Sequence, residues 1–161
     1  MDTLKQAISL RENRQYDEAK RLLEKLNKNQ PHNPDILYQC AWIHDVMGLE
    51  KKALGYYEEA LTCGLKGAER KGALLGLGST YRVLGLYDKS AATLEKGMKE
   101  FPDEKSFEVF AAMTLYNTGK YSKAMEIMLK LVAATSCDEG ILGYKRAIEY
   151  YADKLDMVWE E

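Results

Sequence analysis

Gly85-Leu86-Tyr87-Asp88-Lys89-Ser90 has three counterparts along the chain: Arg14-Gln15-Tyr16-Asp17-Glu18-Ala19, Gly48-Leu49-Glu50-Lys51-Lys52-Ala53 and Gly119-Lys120-Tyr121-Ser122-Lys123-Ala124. Successive copies are offset by 34, 37 and 34 residues. Such a period is the mark of a repeat architecture, in which each unit is one supersecondary element that cannot bury its apolar face alone. The phase extends outward from the motif. Twelve residues before its last position stands a small residue every time, at Ala7, Ala41, Gly78 and Ala112, and twelve after it come Pro31 and Pro102 in the first and third units. Two antiparallel helices approach closely only where their facing side chains are small. Bulky residues surround these points at helical spacing, as Leu10, Leu22, Leu23 and Leu26 do in the first unit and Leu74, Leu77, Tyr81 and Leu94 in the third. Gly48, Gly85 and Gly119 stand where a helix must end in a left-handed residue. Each unit therefore reads as a helical hairpin.

Composition supports this reading and excludes others. In 161 residues, 46% are hydrophobic and 30% charged, enough apolar material for a core and too little for a membrane protein. Three prolines leave residues 35 to 101 and 103 to 161 without a helix breaker. The formal charge of -2 removes the basic field on which nucleic-acid binding rests, so no nucleic-acid partner is expected. No apolar run reaches the ~18 residues of a membrane span and no basic leader precedes one, which predicts no membrane partner and a cytoplasmic location. Cys40, Cys63 and Cys137 are odd in number and lack a CxxC spacing, which argues against a disulfide framework or a zinc site.

The period, the small residues at both crossing points, the run Leu77-Gly78-Ser79-Thr80-Tyr81 and the closing prolines together resemble the tetratricopeptide repeat. The stretches Tyr38-Gln39-Cys40-Ala41-Trp42 and Gly76-Leu77-Gly78-Ser79-Thr80-Tyr81-Arg82 are similar to those of small repeat proteins of the Bacillus group. The chain departs from the family where a tryptophan is usual near the start of the first helix: Thr3, Leu37, Leu74 and Glu108 stand there, and the second unit has no closing proline. The resemblance implies an all-α, right-handed α-solenoid of four helical hairpins in a single domain, at about residues 1–34, 35–66, 68–104 and 105–136. The three extra residues between the second and third units predict a longer loop near Cys63-Gly64-Leu65-Lys66-Gly67-Ala68. A capping helix is expected over about 138–158, with Ile141, Tyr144, Ile148, Tyr151, Ala152 and Leu155 on one apolar face covering the open end of the array.

Chemistry finds little support. His32 lies in a proline-rich turn and His44 on a helix, without a metal-ligand partner or a nucleophile at motif spacing. Gly76-Leu77-Gly78 lacks the third glycine and the preceding strand of a phosphate loop. Glu58-Glu59 and Glu160-Glu161 read as solvated charge. No catalytic residue, metal or cofactor is assigned, and an enzyme is not expected.

The family resemblance also implies which first-helix positions face the concave side. Carried onto this sequence, these are Leu4, Ile8, Arg11 and Glu12; Asp35, Tyr38, Trp42, Asp45 and Val46; Gly72, Leu75, Ser79, Arg82 and Val83; and Ser106, Val109, Met113, Tyr116 and Asn117. Relatives that clamp a peptide carboxylate carry Lys and Asn there; this chain begins with Leu4 and Ile8, so that clamp is not expected. The implied function is a non-enzymatic scaffold that binds a protein or peptide partner, as a helix or extended segment, in an apolar groove. The alternative is a structural homodimer that buries the groove or adjacent apolar surface without a separate ligand, and a fold-back of Met157-Val158-Trp159 is a further way to cover the groove. Tyr38, Trp42, Arg82, Met113 and Tyr116 are the expected anchors, since aromatic residues and arginine dominate interface energetics. Gly72 and Gly76, four apart, would give a smooth strip along which a partner helix approaches, in which case Gly72→Ala should raise stability.

Overall fold

The computed structural model describes residues 3 to 159, and 76% of these are helical, with no strand among them. Eight helices form the four hairpins: α1 (Thr3–Glu12) with α2 (Tyr16–Asn29), α3 (Pro34–Val46) with α4 (Glu50–Thr62), α5 (Gly67–Val83) with α6 (Tyr87–Glu100), and α7 (Ser106–Asn117) with α8 (Tyr121–Thr135). Each second helix packs on the first helix of the next hairpin, and the first helices α1, α3, α5 and α7 touch in succession. The row whose members touch is the inner row of a bend, so the first helices line the concave side of an α-solenoid.

The hairpin crossings follow the small residues. Ala7, Ala19, Ala41 and Ala53 are fully buried, and Ala112 and Ala124 nearly so. In the third hairpin the crossing is Gly78 against Ser90, whose buried hydroxyl donates to the Gly78 carbonyl at 2.7 Å and meets the Thr114 hydroxyl at 3.0 Å. Between hairpins the small residue is a seat for a large one. Gly97 of α6 lies against the ring of Phe107 of α7, which is wholly buried, and a Cβ built on Gly97 would lie 2.5 Å from Cδ1 of that ring. Left-handed backbone ends the first helices at Gly48, Gly85 and Gly119, and Arg14, at φ 61°, takes that conformation in the first hairpin.

Two expectations are corrected. The turn over residues 63 to 66 is no longer than the one over 30 to 33; the extra residues are absorbed by α5, which has 17 residues where α3 has 13. Gly67 opens that helix with a positive φ of 62°. The capping helix over 138–158 is instead two short helices, α9 (Glu139–Gly143) and α10 (Lys145–Tyr151). Asp138 starts α9 as a cap, accepting from the Ile141 amide at 3.0 Å, but Gly140 and Gly143 weaken a helix that ends after five residues. Both short helices pack on α8, and Ala152 behind them is buried. Of the expected apolar face, Ile141 and Ile148 are half-buried, whereas Tyr144, Tyr151 and Leu155 stay exposed because the chain turns away at Tyr144 and again after Tyr151.

The seat at Gly97 gives a paired prediction. Gly97→Ala should destabilise by about 1–3 kcal/mol, since displacing the buried Phe107 ring outweighs the gain in helix propensity. Gly55→Ala, on an exposed face of α4 with open space around it, should stabilise by about 0.5–1 kcal/mol. Urea unfolding of both variants reads the two signs.

Candidate functional site

The concave residues separate into two halves with different chemistry. In the N-terminal half the expected anchors are engaged within the chain. The Arg11 guanidinium lies 3.4 Å above the centroid of the Trp42 ring and donates to Gln39 Oε1 at 2.9 Å. Burial lowers the pKa of Arg11 from its ordinary value. Tyr38 is 7% exposed, its ring 5.7 Å from Trp42 and 6.4 Å from Tyr57. Tyr57 donates its hydroxyl to Asp45 at 3.0 Å; burial pushes the pKa of both groups upward. Leu4, Ile8, Leu75 and Ser79 are half-buried along the same row, as is Val109 farther on. Trp42 keeps 38% of its surface, with the cation already on its ring.

This packing overturns the expected role of the helical glycines. Gly72 lies under the Tyr38 hydroxyl, with Tyr38 Cζ 3.0 Å from where a Cβ would sit, and Gly76 lies under Tyr57 in the same way, at 2.5 Å. The strip is occupied by the protein's own tyrosines and is not free for another helix. Gly72→Ala is thus expected to lower stability, against the helix-propensity argument.

The C-terminal half is open. Arg82, Met113, Tyr116 and Asn117 of the first-helix row meet Tyr121, Ala124, Met125 and Met128 of α8 around a pocket of about 480 Å³. Tyr116 is 62% exposed and its ring lies edge-on to Tyr121 at 4.9 Å. The reason is positional. Leu23, Tyr57 and Leu94 occupy one repeat position, each fully or almost fully buried beneath the neighbouring hairpin; Met128, at the same position of the last hairpin, is only half-buried. The α9–α10 segment packs on α8 without sealing this face. The α8 residues were absent from the sequence expectation, which carried over first-helix positions alone.

Arg82 supplies the polar element of this apolar pocket. It donates from Nη1 to Asn117 Oδ1 at 3.2 Å, while its Nε is buried without a hydrogen-bond partner among the described residues. A buried donor without an acceptor costs about 1–3 kcal/mol.

His44 and Cys40 are buried together on α3. His44 is 1% exposed, and because its Nδ1 faces the Cys40 carbonyl at 2.7 Å, that nitrogen carries the proton. Its ring packs 5.2 Å from Tyr56. The Cys40 thiol is pushed up by burial to about 12 and is poorly suited to act as a nucleophile.

Two outcomes test this geometry. Gly72→Ala should cost about 1–3 kcal/mol, and Tyr38→Phe in the same chain should return part of it, giving a measurable coupling in a double-mutant cycle. Native protein treated with iodoacetamide at pH 8 should be alkylated first at the exposed Cys137 and at Cys40 only after unfolding, as read by peptide mass spectrometry.

Comparison with known proteins agrees with the architecture. A family model described as "Tetratrico peptide repeat" matches residues 34–155, and a second, "Tetratricopeptide repeat", matches residues 4–33. No curated protein matches the chain. Among solved structures, YrrB, described as a TPR protein with an unusual peptide-binding site, is similar at TM-score 0.71 and 16% identity, over 94% of this chain and 77% of that one. A structure of MamA is similar at TM-score 0.72 and 17% identity, over 92% of this chain and 88% of that one. With four helical hairpins in phase and a family model spanning well over half of its length, the chain belongs to the tetratricopeptide repeat family.

Proposed function

We propose that the protein is a non-enzymatic interaction module that holds a helix or extended segment of a partner at the C-terminal end of its concave side. The observation that carries this reading is the apolar pocket around Arg82, Met113, Tyr116 and Met128, left open where each earlier hairpin is covered by the next. A bulky apolar side chain of the partner would enter between Met113, Tyr116 and Met128. An acceptor on the same segment would meet Arg82. The peptide-binding site named for YrrB supports a peptide as the class of occupant. Tyr38 and Trp42 then serve as the packed wall that fixes α3 and α5, rather than as the anchors, because their rings are already engaged.

A second reading, a homodimer, is favoured by one specific feature. The segment after α10 exposes Val158 to 87% and Trp159 to 55%, with the Trp159 ring 5.5 Å from that of the exposed Tyr151. Apolar surface of this kind marks an interaction site, and a second copy could cover it.

Peptides selected from a random display library on the immobilised protein provide the test. Tyr116→Ala should weaken a selected peptide by about 2 kcal/mol, roughly thirty-fold, and Arg82→Met should weaken those that carry an acceptor. Trp42→Ala should leave the affinity of the folded protein nearly unchanged. Calorimetry gives the affinities; a peptide indifferent to Tyr116→Ala and Arg82→Met would place binding elsewhere, and a concentration-independent dimer mass by sedimentation would favour the second reading.

A further inference from the structure

We propose that the turn between the first two hairpins and the end of α4 form a transition-metal site, with His32, Glu59 and Cys63 as ligands and Zn²⁺ as the ion their donor set fits. The three ligand atoms lie within 4.8 Å of one another, although the residues are distant in sequence. Glu59 and Cys63 are four apart at the end of α4, so their side chains project from one face, one turn apart. His32 arrives from the turn over residues 30 to 33. In that turn His32 itself adopts φ 64°, and Asn33 caps α3 by accepting from the amides of Asp35 and Ile36 at 3.1 and 3.3 Å. Pro34 follows as the first residue of that helix.

The donor set is specific in its chemistry. An imidazole nitrogen, a carboxylate oxygen and a thiolate sulfur suit Zn²⁺, whereas Ca²⁺ and Mg²⁺ take oxygen ligands. Tetrahedral zinc, with bonds of about 2.0–2.3 Å, places its ligand atoms roughly 3.3–3.6 Å apart. His32 Nδ1 and Glu59 Oε1 are now 2.8 Å apart and need to open slightly, while Cys63, within 4.8 Å of the other two ligand atoms, needs to close in by at most about 1.5 Å. These are rotamer adjustments at a site where the His32 side chain is 74% exposed and that of Glu59 42%. The carboxylate accepts, so Nδ1 holds the proton that now joins the two groups. On binding, the metal replaces that hydrogen: the imidazole proton transfers through water to Nε2, and the Cys63 thiol releases its proton to the buffer. One thiolate and one carboxylate balance the dication, and water fills the fourth position. The ion would tie the first hairpin boundary to the second hairpin, which is a stabilising cross-link in a solenoid where each unit contacts only its neighbours.

The spacing of the cysteines had argued against zinc because CxxC pairs are absent; the fold supplies instead an i, i+4 pair and a loop histidine that no linear motif joins.

The test uses the full chain carrying Cys137→Ser, which removes the exposed thiol that could bind metal by itself. Co²⁺ is titrated as a spectroscopic probe, and Zn²⁺ is then used to displace it. One equivalent should give a thiolate-to-cobalt charge-transfer band with tetrahedral d–d bands, all abolished by Zn²⁺. The charge-transfer band should vanish in Cys63→Ser, and affinity should fall at least tenfold in His32→Ala and in Glu59→Gln. Helical circular dichroism confirms that each variant is folded, and Cys63→Ala replaces Cys63→Ser if the latter is not. Zn²⁺ should also raise the melting temperature of the Cys137→Ser chain and leave that of His32→Ala unchanged. Absence of a charge-transfer band, its survival without Cys63, or equal affinity in His32→Ala would overturn the site and leave an adventitious surface ion as the explanation. The peptide-binding experiment is unaffected by either result, since His32, Glu59 and Cys63 are not among the residues that form the open pocket.

Discussion

Close approach of two helices at a small residue is the constraint on which the rest of the structure depends. Ala7 with Ala19, Ala41 with Ala53, Gly78 with Ser90, and Ala112 with Ala124 set the distance within each hairpin, and every one of these positions is buried. With that distance fixed, the bulky residues beside each crossing have one place to go: the interface with the next hairpin. The buried clusters show it, with Leu37, Tyr57, Ala73 and Leu77 shared between the second and third hairpins and Leu74, Leu94 and Phe107 between the third and fourth. Stability is therefore passed along the array from neighbour to neighbour, as the quasi-one-dimensional character of repeat proteins requires.

The same logic explains why the two ends of the concave side differ. Where a next hairpin exists, its first helix covers the preceding second helix, and concave side chains are drawn into internal contacts such as Arg11 on Trp42 and Tyr38 on Gly72. After α8 the short α9 and α10 follow in place of a full hairpin, and part of the surface beside them stays open. A short pair of helices broken at Tyr144 covers part of α8 and leaves Tyr116, Tyr121, Met125 and Met128 lining a pocket. The incomplete cover, rather than an unusual active-site residue, is what leaves this end open.

Charge has a supporting part. The bidentate pair of Arg70 with Glu100, at 2.6 and 2.9 Å, joins the start of α5 to the end of α6. Lys71 and then Ser106 hold the Glu104 carboxyl down at about 2, so the tie between α5 and the start of α7 persists in mild acid. Both pairs sit near the surface, where such contacts contribute little beyond fixing geometry.

The sequence by itself determined the hairpins, because a 34-residue period in small residues, turn residues and prolines encodes local chain geometry that each unit repeats. It assigned Arg82, Met113, Tyr116 and Asn117 to the concave side, since first-helix positions can be carried from one repeat to the next, but did not separate them from Tyr38 and Trp42. Three things were settled only by tertiary structure. The extra residues before the third hairpin joined α5 instead of the loop, because Gly67 allowed the helix to start early. Gly72 and Gly76 became seats for Tyr38 and Tyr57, which a helix-propensity argument does not see, since the rings arrive from helices 34 and 19 residues away in sequence. The α8 wall of the pocket was exposed by what does not pack there, and a repeat pattern specifies the contacts between successive units but not the shape of the surface left where the pattern stops.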